Sequence, residues 1–352
     1  MPHPLSDTRV IAPNFKRRLS GVTATVMRLV PVQARDIAIK ATGPVVPAHV
    51  PQAPLRALLT MSRHGPGGGP RVWHARRNVE MLGGLALKHL LRKDLRLMFT
   101  SASQRKQSGL TRWLIRRMDA VVATSDLTAN YLEGPATVIM HGIDVATFAP
   151  PEDRAELRAR LGLPVDARLV GCYGRIRAQK GTDAFVEAMI PILLADPAVT
   201  ALVMGRATEK HRAFEQDLKD RIKAEGLTDR LLFLPEVPVE NMADFYAALD
   251  LYVAPQRWEG FGLTPIEAMA CGVPVVATRV GAFETLVHQE RTGLLVPPDD
   301  IPALEAAVRD ALSDPARLAD WSEAARKHVA ADFSIEREAQ ALNALYTDLL
   351  AR

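Results

Sequence analysis

Residues Glu259 to Glu267, Glu-Gly-Phe-Gly-Leu-Thr-Pro-Ile-Glu, place two carboxylates eight positions apart across a glycine-aromatic-glycine turn. The apolar run Leu251-Tyr252-Val253-Ala254 precedes them and Ala268-Met269-Ala270-Cys271-Gly272 follows, so the pattern reads strand, turn, helix, with Pro265 opening the helix. The first carboxylate then lies on the loop and the second in the first helical turn. Both can then face one ligand at the carboxyl edge of a parallel sheet, where open α/β folds bind ligands. A second stretch, Gly174-Arg175-Ile176-Arg177-Ala178-Gln179-Lys180-Gly181, leaves an apolar strand and enters a helical pattern at Thr182. Gly174 lets the backbone turn, and Arg175 and Lys180 can converge on a diphosphate above the helix N-terminus; a basic surface turn is the plainer alternative. Neither stretch is a G-x-G-x-x-G or a Walker loop, which weighs against a nicotinamide cofactor and an ATPase.

The elements that must hold these loops alternate along the chain. Strands are expected at Arg9 to Ala12, Asp36 to Lys40, Val72 to His74, Leu95 to Thr100, Ala120 to Thr124 and Thr137 to Met140, with helices at Val22 to Leu29, Glu80 to Arg92 and Gly109 to Met118. The alternation resumes at Arg168 to Tyr173, Thr200 to Met204, Leu231 to Leu234, Leu251 to Ala254, Pro274 to Ala277 and Gly293 to Val296. Such order implies two Rossmann-like α/β domains, each a parallel sheet covered by helices. The proline-rich acidic segment Ala149-Pro150-Pro151-Glu152-Asp153 is the expected linker, giving domains 1–150 and 151–334. The last helix, Ile335 to Leu350, follows completion of the second sheet and is expected to pack back on the first domain, so 335–352 is grouped with it.

Composition narrows the function classes. At 352 residues the chain is long for one core. Apolar runs are short and strand-like, far from the roughly 18 to 20 residues a membrane span needs. The start, Met-Pro-His-Pro-Leu-Ser-Asp-Thr-Arg-Val, has no apolar signal core, and Cys172 and Cys271 form no metal or disulfide pattern, so a reducing cytoplasm is expected. The loop Gly65-Pro66-Gly67-Gly68-Gly69-Pro70 matches no phosphate-binding motif. Charge is lopsided. Residues 1–150 carry 21 Lys and Arg against 8 Asp and Glu, net +13, whereas the remainder is net −9. Lys16-Arg17-Arg18, Arg76-Arg77, Arg92-Lys93, Arg105-Lys106 and Arg116-Arg117 are interleaved with Leu and Trp, a composition that attracts phosphate-bearing partners such as anionic lipid or a phosphorylated glycan.

Taken in series, Ser-Gly-Val-Thr at 20–23, His-Gly-Ile-Asp at 141–144, the 174–181 loop, the run 259–278 and Thr-Gly-Leu-Leu-Val-Pro-Pro-Asp-Asp at 292–300 resemble the retaining glycosyltransferases of the family 4, GT-B type. Finer stretches, Arg17 to Thr23, Trp73 to Met81 and Pro255 to Leu263, look like the bacterial mannosyltransferases that build the lipopolysaccharide inner core. The resemblance implies two Rossmann-like domains facing across a cleft, with a nucleotide-sugar donor on the second and an acceptor on the first. It implies that Arg175 and Lys180 hold the donor diphosphate, that Glu259 bonds the transferred sugar and Glu267 the ribose, and that Gly174, Gly262, Leu263, Thr264 and Gly21 approach the donor. His74 is implied near the reacting centre, orienting the sugar or polarising the acceptor hydroxyl, against a buried histidine closing a strand end.

Lys16, Arg17, Arg18, Arg76 and Arg77 are the candidates for an anionic acceptor. His141 and Asp144 fall where a hinge turn is expected, and Gln256-Arg257-Trp258 departs from the family's usual small residue. No DxD motif is present, in line with a metal-independent enzyme without a resident cofactor. The expected activity is hexosyl transfer, mannosyl from GDP-mannose, onto an anionic lipopolysaccharide core or lipid-linked glycan at the inner membrane face, without nucleic acid. The alternatives are a glucosyl, galactosyl or GlcNAc transferase using a UDP-sugar, a two-domain nucleotide-sugar epimerase or NAD-dependent oxidoreductase, and a nucleic-acid-binding protein suggested by the basic half. Absence of G-x-G-x-x-G and of any recognition motif counts against the last three.

Overall fold

A computed structural model describes residues 3–17 and 21–352. The described residues form two compact units, the first running to Gly142 and joined by Ile335–Arg352, the second Ile143–Ser334.

The first unit holds strands β1 (Val10–Pro13), β2 (Ile39–Thr42), β3 (Arg71–Ala75), β4 (Leu95–Ser101), β5 (Ala120–Ala123) and β6 (Thr137–Val138). All pair in parallel, in the order β2-β1-β3-β4-β5-β6. A parallel sheet is covered on both faces, so its strands run as continuous apolar segments; β1 and β3 are buried throughout. One face packs Val10, Val72 and Met98 against Val26 and Val30 of the helix Gly21–Gln33 and against Leu342, Tyr346 and Leu349 of the helix Ile335–Ala351. The C-terminal helix thus covers the first sheet, as its position after the second sheet suggested. The other face packs Ile11, Trp73 and Leu97 against Met81 and Leu85 of the helix Asn78–His89.

The second unit holds β7 (Arg168–Tyr173), β8 (Val199–Met204), β9 (Leu231–Leu234), β10 (Leu251–Ala254), β11 (Val275–Thr278) and β12 (Gly293–Val296), again all parallel, ordered β12-β11-β10-β7-β8-β9. Its core joins Val170, Val203 and Val253 to the helices Thr182–Ala195 and Ile301–Ser313.

In each unit the strand order reverses once, between β1 and β3 and between β7 and β10. Open α/β sheets bind ligands outside the carboxyl ends of the strands at such a reversal. That rule directs attention to the loops after β1 and β3 in the first unit and after β7 and β10 in the second.

The units divide at Gly142 and Ile143, upstream of the Ala149–Asp153 segment read as the linker. Ile143 bridges Ser334, and the carbonyls of Val145 and Phe148 accept from the Arg326 guanidinium, so 143–150 is fastened to the second unit. Proline content marked an irregular segment inside the second unit rather than the boundary. No helix among the described residues is long and apolar enough to cross a membrane.

Candidate functional site

In the second unit, Gly174 ends β7 at φ +138°, and the chain passes through Arg175, Ile176 and Arg177 into a single tight turn, Ala178–Lys180. Gly181 follows at φ +70° and caps the helix Thr182–Ala195; a Cβ there would lie 1.9 Å from the Pro255 carbonyl oxygen. The close approach locks the β7 loop against the β10 loop. Arg257 adds a second clamp: its backbone N–H donates to the Gln179 carbonyl at 3.1 Å and its guanidinium to Asp183 at 2.7 Å and to Asp299. Asp183, and then Asp299, hold the Arg257 pKa above the ordinary arginine value. The sequence pattern marks Arg257 only as a departure from the family's usual small residue; its place three residues past the end of β10 is the one local signal.

Across this clamp the Lys180 ammonium donates to the Glu259 carboxylate. Both side chains are only partly exposed, 24% and 18%, so the pair is screened less than a surface salt bridge. Arg175 is exposed and makes no hydrogen bond or ion pair with the described residues. The two cations are therefore not equivalent: one is held by a carboxylate, the other is turned to solvent.

Gly262, at φ +88°, brings the loop so close to Phe283 that a Cβ would meet its ring at 2.2 Å and the Glu259 side chain at 2.9 Å. Leu263 then caps the helix Thr264–Ala270, with Pro265 in its first turn and Glu267 three residues in, as the sequence pattern implied. The Glu267 carboxylate accepts a 2.9 Å hydrogen bond from the Tyr246 hydroxyl. Tyr246 is fully buried and packs against Tyr173 and Tyr252, with ring centroids 5.1 and 5.4 Å away. Burial, and then the Glu267 charge, push the Tyr246 pKa well up, so the phenol keeps its proton and donates it to the glutamate. Nothing in the sequence pattern pointed to Tyr246, which precedes Glu267 by a whole strand. Burial raises the Cys172 and Cys271 thiols to about 12, and both stay free.

In the first unit the corresponding edge carries a polar network. Arg77 donates to Asn14 Oδ1 at 2.6 Å, to Glu80 Oε1 at 2.9 Å and to Thr23 Oγ1 at 3.0 Å. Glu80, with no exposure, also accepts from the Arg76 backbone N–H at 2.8 Å. Arg77 was expected to meet the acceptor, but its guanidinium ties β1, the helix Gly21–Gln33 and the helix Asn78–His89 together. A buried carboxylate has to be paired, and Arg77 is the cation in reach. Lys16 and Arg17 are exposed, Arg76 is half-buried, Gly21 opens its helix, and Arg18 lies outside the described residues.

His74, expected near the reacting centre, is fully buried. Its Nδ1 is 2.6 Å from the Tyr346 hydroxyl and its Nε2 is 2.6 Å from Thr100 Oγ1. Burial, and then Arg76, hold its pKa well below the ordinary histidine value, so the ring is neutral. With both nitrogens occupied and no solvent access, His74 closes the strand end and ties β3 to the C-terminal helix. His141 Nδ1 lies 2.9 Å from Glu338, whose other oxygen accepts from the Gly142 backbone N–H. Asp144 accepts from the backbone N–H groups of Ala146 and Thr147. The His141 and Gly142 contacts with Glu338 lie within the first unit, and Asp144 closes a turn at the start of the second.

The family model described as glycosyl transferases group 1 matches residues 153–328. The chain belongs to that family. Over 349 residues this glycosyltransferase is 52% identical to the lipopolysaccharide core biosynthesis mannosyltransferase LpsB of Rhizobium meliloti, covering 98% of this chain and 99% of that one. It is 50% identical over 347 residues to the lipopolysaccharide core biosynthesis mannosyltransferase LpcC of Rhizobium leguminosarum bv. viciae, covering 98% of each. Among solved structures, sucrose-phosphate synthase from Thermosynechococcus elongatus superposes with a TM-score of 0.79 at 25% identity, over 98% of this chain and 99% of that one. The two parallel Rossmann-like units are therefore the GT-B architecture. The matched segment contains the whole β7 and β10 constellation, Arg175, Lys180, Glu259 and Glu267.

Proposed function

We propose that the enzyme is a retaining mannosyltransferase that moves mannose from GDP-mannose to an anionic lipopolysaccharide core or lipid-linked glycan acceptor. The observation that carries this reading is full-length identity above one half to a named core mannosyltransferase, together with an intact pair of acids and pair of cations at the second unit's strand reversal.

The second unit takes the donor. Its loops present Arg175, Lys180 and the N-terminus of the helix Thr182–Ala195, a fourteen-residue helix whose dipole favours a diphosphate. As the bond between sugar C1 and the diphosphate oxygen breaks, negative charge grows on the leaving group, and fixed cations lower that barrier. Glu259 accepts from sugar hydroxyls, and Glu267, held by Tyr246, accepts from the ribose. Donor binding shifts Lys180 from Glu259 alone towards the phosphate. Retention follows from front-face attack: the acceptor oxygen bonds to C1 on the side the diphosphate leaves, and a donor phosphate oxygen takes the acceptor proton. No protein nucleophile and no metal enter this scheme. Gly262, Leu263 and Thr264 bring backbone close to the donor.

The first unit takes the acceptor. It carries the chain's positive excess, and Lys16, Arg17, Arg18 and Arg76 are the cations offered to acceptor phosphates or carboxylates, while Arg77 ties Asn14, Thr23 and Glu80 together. The test is a donor panel of GDP-mannose, UDP-glucose, UDP-galactose and UDP-GlcNAc, read as nucleotide release with a truncated core acceptor. Turnover confined to the UDP sugars removes the mannosyl assignment and leaves the glycosyltransferase family intact.

A further inference from the structure

The enzyme's four tryptophans are placed in different ways. Trp73 and Trp321 are buried, and each indole N–H donates to a backbone carbonyl, that of Glu80 at 2.8 Å and that of Glu290 at 3.0 Å. Trp113 carries the Arg117 guanidinium on its ring, 3.7 Å from the centroid. Trp258 has neither arrangement. It is 41% exposed, and among the described residues its ring meets no other ring or cation and its N–H finds no hydrogen-bond partner. A single exposed apolar side chain is ordinary, so exposure alone assigns no role. Position does.

Trp258 stands on the loop after β10, at the carboxyl edge where the strand order of the second unit reverses. Both its neighbours are fixed. Arg257 is tied to Gln179, Asp183 and Asp299, and the Glu259 carboxylate is tied to Lys180. The close approach of Gly181 to the Pro255 carbonyl holds the start of the same loop. With its backbone pinned on both sides, the indole keeps little freedom beyond its own two side-chain torsions, so a ligand that covers it gives up little entropy.

The kind of surface narrows the ligand. A pyranose carries hydroxyls round its rim and C–H groups on its faces; the rim pairs with carboxylates, and a face is best covered by a flat apolar surface. Glu259 supplies the first and Trp258 the second, one residue apart. A purine also stacks on an indole, but the adjoining carboxylate is the one assigned to sugar hydroxyls.

We propose that Trp258 is a substrate-binding residue that stacks on the face of a pyranose reacting beside Glu259, either the transferred hexose or the acceptor sugar that receives it. This placement deepens the donor-site reading of Glu259 and Lys180 and rests on it.

The test is titration calorimetry of the full chain with GDP and with GDP-mannose, alongside the acceptor KM, in the unaltered enzyme, W258A and W258F. Uncovering one apolar ring face corresponds to a loss of about 10- to 30-fold. If the donor sugar lies on the ring, W258A loses that factor for GDP-mannose and keeps its GDP affinity. If the acceptor sugar does, both donor affinities hold and the acceptor KM rises by the same factor. In either case W258F, which keeps a flat ring, should recover most of the loss. Tryptophan emission of the unaltered protein should also change on adding the ligand that carries the stacked sugar, and W258F should lack that change. Equal losses for GDP and GDP-mannose in W258A, no change in any of the three constants, or a W258F as impaired as W258A overturns the proposal. The comparison uses the sugar nucleotide that the donor panel selects and its own nucleoside diphosphate, so rejection of GDP-mannose by the unaltered enzyme bears on the mannosyl reading alone.

Discussion

Replacing Tyr246 with Phe removes one oxygen and nothing else. The ring keeps its contacts with Tyr173, Tyr252 and Phe148, so no cavity forms. The lost interaction is the 2.9 Å hydrogen bond to Glu267, of a kind worth about 1.5–3 kcal/mol when the acceptor is charged. Glu267 is only half-buried, so water can replace the phenol and the loss falls at the lower end. The larger consequence is positional. With this hydrogen bond gone the carboxylate is held less firmly, and ordering it for a bound ribose is expected to cost about 0.5–1.5 kcal/mol. Tyr246→Phe should therefore weaken GDP binding by roughly 3- to 10-fold, measured by titration calorimetry. A ribose contact of this kind would be the same in ground and transition states, so the donor KM should rise with kcat little changed. Glu267→Ala, which removes the acceptor itself, should weaken binding further. An unchanged GDP affinity in Tyr246→Phe beside a collapse in Glu267→Ala would refute the positioning argument. Unchanged affinity in both refutes the ribose assignment.

Other outcomes follow from the same geometry. Lys180→Ala should cut single-turnover transfer by about 100- to 1000-fold with a modest change in donor affinity, and Lys180→Arg should recover part of it; equal rates would show that the cation does not meet the leaving group. Gly181→Ala puts a Cβ against the Pro255 carbonyl in a left-handed conformation and should cost about 2–4 kcal/mol in urea unfolding, whereas a midpoint unchanged from the unaltered protein would mean the loop yields. His74 stays neutral when folded but takes a proton when unfolded, so the unfolded state binds more protons below about pH 6.5. The stability linked to this group is complete above that pH and is lost progressively as pH falls towards the depressed folded value. His74→Gln should flatten the dependence of the melting temperature on pH between 7 and 5; an unaltered slope would assign the acid sensitivity elsewhere.

How much of this was legible beforehand can be read from single elements. The segment from Leu251 to Glu267 announced strand, turn and helix because each step has a local cause: an apolar run, glycines that permit φ +88° at Gly262, and Pro265 at a helix start. Such causes act within a few residues, so the sequence alone determined the places of the strands among the described residues, the parallel architecture and the candidate loops. The C-terminal helix was legible for a related reason, since an apolar stripe after a completed sheet needs another surface to cover.

Partnership across the chain was a different matter. Lys180 has the chemistry of a diphosphate ligand, but its contact with Glu259, 79 residues away in sequence, depends on β7 lying beside β10. His74 and Arg77 carried the right chemistry for a site, and only packing against Tyr346, 272 residues away, and against the buried Glu80 determined that their polar atoms are spent on the fold. Tyr246 left no local mark at all. Residue type and spacing fix what a side chain is able to do; burial and the neighbours brought in by strand order decide what it does. The physical reason is that desolvation and hydrogen-bond competition depend on every group within a few ångströms, and most of those groups arrive from distant parts of the chain.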